Sequence, residues 1–138
     1  MSGLAFFDTN VLVYADDASA PKKRQQAAAL FAEHLREGTA VISLQVLQEY
    51  FVTATRKLGV TVELAQRKVE VMARARVVRL DAGDVIAAIE LHRLTQISFW
   101  DALIVQAARL AGAAVLYSEG LAGGAAIGGV RVVNPFAG

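Results

Sequence analysis

The sequence predicts an α/β fold, a three-layer α/β/α sandwich around a mainly parallel central sheet of four to five strands. Three observations predict it. Short apolar runs alternate along the 138 residues with longer segments of helical periodicity. The short runs lack in/out alternation, as strands do when both faces of a parallel sheet are covered. Strands alternating with helices call for parallel crossover connections. The length suits one domain over residues 1–138, and a hydrophobic fraction of 55% is enough for a real core.

Leu4–Phe7 opens the pattern as the first strand, and Asp8 follows it directly. Thr9–Ala15 reads as a short helical turn, with Asp16 and Asp17 ending it and beginning a loop. Pro21–Glu37 is a helix with Pro in its first turn and Gly38 as its stop. Ala40–Ser43 is the second strand, and Ser43 is a candidate N-cap for a helix over Leu44–Lys57 that ends before Gly59. Thr61 is placed to cap Val62–Arg76, whose Val62, Ala65, Val69 and Met72 fall at helical spacing. Val77–Leu80 is the third strand. Asp81 and Asp84 bracket Gly83 as turn and helix-start residues, and the helix Gly83–Leu94 carries Val85, Ile86, Ile89 and Leu94 on one side. Ser98 caps Phe99–Ala111, which Gly112 ends. Val115–Ser118 and Val130–Val133 complete the strands. Gly120–Gly129 between them, uncharged and rich in Gly and Ala, reads as a mobile surface loop.

Composition narrows the chemistry. The net charge of +1 does not announce a nucleic-acid binder, although a local basic stripe remains compatible with it. The chain has no cysteine, which excludes disulfides and zinc–thiolate sites. His34 and His92 have no partner at metal-ligand spacing and read as surface helix residues. A metal here must be held by oxygen ligands. Leu4–Phe7 is too short for a signal-peptide core, and Ala102–Tyr117 is interrupted by Gln106, Arg109 and Gly112. A cytoplasmic location with no membrane association is the expectation.

In open parallel sheets, sites form outside the carboxyl ends of the strands. Asp8 directly follows the first strand, and Glu119 directly follows the fourth. Glu49 lies in the second turn of the helix after the second strand. Asp101 lies in the first turn of the helix before the fourth. These acids can converge on one rim of the sheet. Such a cluster repels itself and pays for desolvation unless a hard cation such as Mg²⁺ or Mn²⁺ neutralises it. A cation there can orient a phosphodiester and lower the pKa of a bound water.

Taken singly, each acid also has a plain structural reading. Asp8 fits a cap of the turn that follows it, and Ser98-x-x-Asp101 is close to a capping box. Glu49, beside Val46, Tyr50 and Phe51, fits the solvated margin of an amphipathic helix, and Glu119 an exposed loop charge. Lys22–Arg24, Arg56, Lys57, Arg74, Arg76 and Arg79 are available to an RNA backbone, and periodicity does not choose among them.

Four segments together carry a resemblance. Asp8-Thr9-Asn10-Val11-Leu12-Val13-Tyr14 resembles the opening motif of PIN-domain nucleases. Gln45-Val46-Leu47-Gln48-Glu49-Tyr50 resembles their second acidic motif, Ser98-Phe99-Trp100-Asp101-Ala102-Leu103-Ile104 their third, and Leu116-Tyr117-Ser118-Glu119-Gly120-Leu121 their fourth. Asn134-Pro135-Phe136 is similar to a frequent ending of such chains. The likeness spans essentially the whole chain and is closest to the toxins of VapC-type toxin–antitoxin pairs. It implies a PIN-like sandwich, Mg²⁺- or Mn²⁺-dependent endoribonuclease activity, homodimers and neutralisation by a small antitoxin. By that likeness Asp8 and Asp101 are principal metal ligands and Glu49 completes the core. Thr9 and Asn10 support the loop, and Ser118 positions an acid or water.

One departure stands out. Many relatives carry an Asp where this chain has Gly120. Either Glu119 supplies a longer-reaching fourth carboxylate, or that ligand is absent and a second metal is weakened. The departure keeps an alternative open, a non-catalytic PIN scaffold that retains partner binding alone. Other α/β phosphate enzymes fit less well. Asp8-Thr9-Asn10 lacks the Asp-x-Asp of aspartyl phosphatases, and no Lys follows Lys68, as a phosphoacceptor receiver requires.

Overall fold

The computed structural model describes residues 3–121 and 126–137. Its elements run β1 (Ala5–Phe7), α1 (Thr9–Tyr14), α2 (Pro21–Glu37), β2 (Ala40–Ser43), α3 (Leu44–Arg56) and α4 (Val62–Met72). There follow β3 (Arg76–Val78), α5 (Ala82–Thr95), α6 (Phe99–Ala111), β4 (Val115–Tyr117), β5 (Ala126–Ile127) and β6 (Val130–Val133). The sheet order is β3-β2-β1-β4-β6-β5, parallel throughout except for the β5–β6 pair.

β1 occupies the centre, with Ala5 in register with Ala40 on one side and Val115 on the other. Helices cover both faces, so its three residues are fully buried and the strand reads as an unbroken apolar run. α6 crosses β2, β3, β4 and β6, and α5 packs on α6. Pressed between the sheet and α5, α6 buries every residue from Ala102 to Ala108. That run includes Gln106, whose amide nitrogen donates to Asp84 at 2.9 Å. α1, α2, α3 and α4 form a second group, joined through α1–α2, α1–α3 and α3–α4 contacts.

The capping residues act as their chemistry requires. Ser43, Thr61 and Ser98 accept from the backbone N–H groups of Val46, Leu64 and Asp101. Asp81 and Asp84 form a reciprocal capping box at the start of α5. Gly38 and Gly112 end α2 and α6 in the left-handed conformation.

Several sequence expectations are corrected. The sheet has six strands, because Ala126–Ile127 pairs antiparallel with β6 through a turn at Gly128 and Gly129. Part of the expected loop Gly120–Gly129 is therefore strand, and residues 122–125 lie outside the described residues. α4 stops at Met72 instead of Arg76, because Ala73–Ala75 turns and Arg76 pairs with Val41. α5 buries Ala88 and Leu91 and exposes Ile86, Ile89 and Leu94, so its packed side is not the more apolar one. Both histidines are half-buried and bonded rather than free on the surface. His34 lies against Phe7 and Tyr117 and shares a hydrogen bond with Thr39, and His92 Nδ1 meets the Ile97 carbonyl.

Tyr50 is fully buried on α3, and its hydroxyl donates to Asp16 at 2.5 Å. Lys68 of α4 pairs with the other Asp16 oxygen at 2.6 Å. This cluster ties the end of α1 to α3 and α4 beside Glu49. Burial, and then the Asp16 charge, push the Tyr50 phenol upward, so it stays a donor. Tyr50→Phe is expected to cost about 1–3 kcal/mol of stability by leaving Asp16 short of a partner. Urea denaturation checks this, and a midpoint equal to wild type would refute it.

Candidate active site

The chain leaves β1 toward β2 and β3, then crosses to β4 on the other side of β1. The direction of winding therefore reverses between β1 and β4, and a crevice opens beyond their carboxyl ends. Asp8 is the first residue after β1, and Ser118 and Glu119 are the first two after β4. The backbone N–H of Asp8 donates to the Tyr117 carbonyl at 2.9 Å, which carries the strand pairing up to the site.

Asp8 is 6% exposed, and both of its oxygens are occupied. Oδ1 accepts from the Thr9 backbone N–H at 2.7 Å and Oδ2 from the Ser118 hydroxyl at 2.8 Å. Asp8 thus caps α1 as expected while also lining the cleft. Asn10 bridges the same rim. Its amide nitrogen lies 3.5 Å from Ser118 Oγ, and its oxygen accepts from the Glu119 N–H at 3.2 Å. Glu49 comes in from α3, where Oε1 accepts from the Thr9 hydroxyl at 2.6 Å and Oε2 from Gln45 Nε2 at 3.2 Å. Gln45 also reaches the Trp100 carbonyl at 3.4 Å, which links α3 to the start of α6.

Asp101 stands in the first turn of α6, half-buried, with its N–H capped by Ser98 Oγ at 3.0 Å. Ser98 alone makes this cap. Among the described residues the Asp101 carboxylate has no hydrogen-bond partner. Asp8, Thr9, Asn10, Glu49, Asp101 and Glu119 all line one open cleft of about 810 Å³, with Ser118 directly behind Asp8.

The electrostatics set Asp8 apart. Burial raises its pKa to about 6, the hydrogen bonds from Ser118 and Thr9 oppose that rise, and the charges of Asp101 and Glu49 add to it. Glu119 is the reverse case. Lys23 approaches its Oε2 to 2.5 Å and the Tyr14 hydroxyl donates to its Oε1 at 2.7 Å. The Lys23 ammonium holds its carboxyl below the usual range, helped by Tyr14.

Donor chemistry here fits a hard divalent cation. The cleft offers carboxylates, hydroxyls and amide oxygens, and the Asp101 and Glu49 charges add to the rise of the Asp8 pKa, an effect a cation would reverse. The spacing is not drawn in, however: among the described residues no group of three Asp, Glu, His or Cys side chains stands close enough to hold a metal ion. Glu49 is instead tied to Thr9 and Gln45.

Sequence reasoning gives Gln45 and Tyr14 no separate role in this site, and names Lys23 and Lys57 only among the basic residues available to RNA. Gln45 lies four residues before Glu49 on the same helical face, a legible signal. Tyr14 lies four after Asn10 and was legible in the same way. Lys57 lines the cleft from the end of α3. Lys23 meets Glu119 across 96 residues of sequence, and no local pattern announces that contact.

Comparison with known proteins follows the same lines. No curated protein sequence matches the chain. Among solved structures, it is similar to a Mycobacterium tuberculosis VapC20, described as a sarcin–ricin loop cleaving toxin. The TM-score is 0.67 at 24% identity, over 83% of this chain and 88% of that one. A toxin–antitoxin complex from Klebsiella pneumoniae aligns at 0.68 and 23% identity, over 96% of this chain and 98% of that one. VapBC2 from Rickettsia felis, bound to a promoter DNA fragment, aligns at 0.67 and 19% identity, over 94% and 96%. At these identities the likeness speaks for the fold. The family model of the PIN domain matches residues 5–120, most of the length, and the chain belongs to the PIN-domain family.

Proposed function

We propose that this protein is a divalent-metal-dependent endoribonuclease, acting as the toxin of a toxin–antitoxin pair. The observation that carries the reading is that Asp8, Glu49 and Asp101 line one cleft, with the Asp8 carboxylate made unfavourable by burial first and by the Asp101 and Glu49 charges in addition. A cluster that is electrostatically unfavourable by itself is a feature of a cation site more than of a scaffold. Asp8, Asp101 and Glu49 would hold Mg²⁺ or Mn²⁺. Such a cation, when bound, activates a water and stabilises charge on a phosphodiester.

The chain's own residues do the positioning. Ser118 and the Thr9 N–H fix the Asp8 carboxylate, and the Thr9 hydroxyl and Gln45 fix Glu49. Asn10 locks the β4 rim to the β1 rim. Lys57 on the cleft wall supplies a positive charge for an RNA phosphate. The action belongs in the cytoplasm. Among the described residues no helix is long and apolar enough to cross a membrane.

Two of the structural neighbours are toxin–antitoxin assemblies by their descriptions, which supports a small antitoxin as partner. The exposed Leu44, Val62, Ile86, Leu94 and Trp100 supply apolar surface for that partner and for a homodimer. The test is cleavage of single-stranded RNA by wild type and Asp101→Asn, with Mn²⁺ or with a chelator. Wild type is expected to cut only with Mn²⁺, and the variant not at all. Full activity in the folded variant would sink the reading. A wild type that neither cuts RNA nor binds Mn²⁺ would instead be the non-catalytic scaffold.

A further inference from the structure

The five acids that line the cleft, Asp8, Asp17, Glu49, Asp101 and Glu119, are not equivalent. Among the described residues, the ion pairs are Lys23–Glu119 and Lys68–Asp16, so no ammonium or guanidinium pairs with Asp8, Glu49 or Asp101. Of the cleft acids, Glu119 alone is paired with a cationic side chain among the described residues. Its partner is firmly held, because Lys23 Nζ also sits 4.8 Å from the Tyr14 ring centre and 5.6 Å from that of Phe136. Those two rings pack edge-to-face at 5.1 Å. The Lys23 side chain is 38% exposed at the rim, so the arrangement places charge more than it adds stability.

A second feature points the same way. No carboxylate stands at position 120, and a Cβ there would lie 3.3 Å from the Asn10 amide nitrogen. That amide is already engaged with Ser118 and with the Glu119 N–H. At this end of the cleft Glu119 is therefore neutralised, and Asp17, the other acid there, is engaged by the Ser19 N–H and hydroxyl at 3.0 and 2.6 Å.

We infer that Lys23 is a built-in counter-cation, and that the chain takes up one divalent cation, on the Asp8 side, rather than two. This rests on the metal-site reading of the proposed function. A two-metal site needs enough carboxylate charge to offset two dications about 4 Å apart. An ammonium against Glu119 cancels its charge and repels a second dication. In place of the ligand role that the family likeness implies for Glu119, its role is to seat Lys23.

Mn²⁺ titration of the metal-free full chain by calorimetry, with free Mn²⁺ counted by electron paramagnetic resonance, tests this without reading activity. Wild type should bind one Mn²⁺. Glu119→Gln, which leaves the Lys23 ammonium unanswered, should weaken binding by no more than about fivefold, one unit charge of the opposite sign, and Lys23→Arg should behave as wild type. Lys23→Met, which frees Glu119, should add a second ion or tighten binding by at least about fivefold, the order of one unit charge acting nearby in wet surroundings. Two ions in wild type, a larger loss in Glu119→Gln, or a folded Lys23→Met with neither change would overturn the inference alone. No Mn²⁺ in wild type would overturn the metal site itself, and the inference with it.

Discussion

Asp8→Asn is expected to lower the rate of RNA cleavage by at least about 10²–10³-fold, the scale on which loss of one group from a charge-stabilising site acts. The protein should stay folded. Asn keeps the size of the side chain, an oxygen to accept from the Thr9 N–H, and an NH2 group that can donate to the Ser118 oxygen in place of accepting from it. The substitution removes a charge that is buried and faces Asp101 and Glu49. A merely capping Asp8 would give a different result, with activity preserved and stability lowered by about 0.5–2 kcal/mol. Steady-state cleavage, read beside a denaturation curve of the same preparation, separates the two.

The second large effect is on stability against pH. In the unfolded chain the Asp8 carboxyl titrates near 3.8, and in the folded protein near 6. Below about pH 4 it is protonated in both states and costs nothing. Between those values the unfolded chain gives up its proton first, so unfolding becomes easier as pH rises. Above about pH 6 the penalty is complete, on the order of 3 kcal/mol for a shift of this size. Metal-free wild type is therefore expected to lose about that much stability from pH 4 to 7, relative to Asp8→Asn measured in parallel. A saturating divalent cation should restore it, because bound carboxylates must be ionised. Parallel curves for the two proteins across that range would show that Asp8 is not strained.

Much of this is legible in the sequence. β1 and β2 are read from unbroken apolar runs because both faces are covered. Ser43, Thr61 and Ser98 are legible as caps because that chemistry is local. Asp8 and Glu119 were traceable to one rim because each follows a strand that the parallel pattern reveals. The misreadings share a physical origin in tertiary context. α5 packs through Ala88 and Leu91 because close approach to α6 favours small residues, so its bulkier side faces outward. β5 is two residues long and exists only through β6, so no periodicity can announce it. The partners of Glu119 and Asp16 come from elements remote in sequence, which is why the sequence announces neither ion pair.

The nature of the RNA ends tests the central claim most directly. RNA cut by the wild type in Mg²⁺ or Mn²⁺ should carry 5′-phosphate and 3′-hydroxyl termini, as attack by a metal-activated water produces. End-selective sequencing, with Asp8→Asn as the paired control, reads this out, and the control should yield no cut sites. Cyclic-phosphate termini, or the same cut sites from folded Asp8→Asn, would contradict a carboxylate-held cation as the source of the activity.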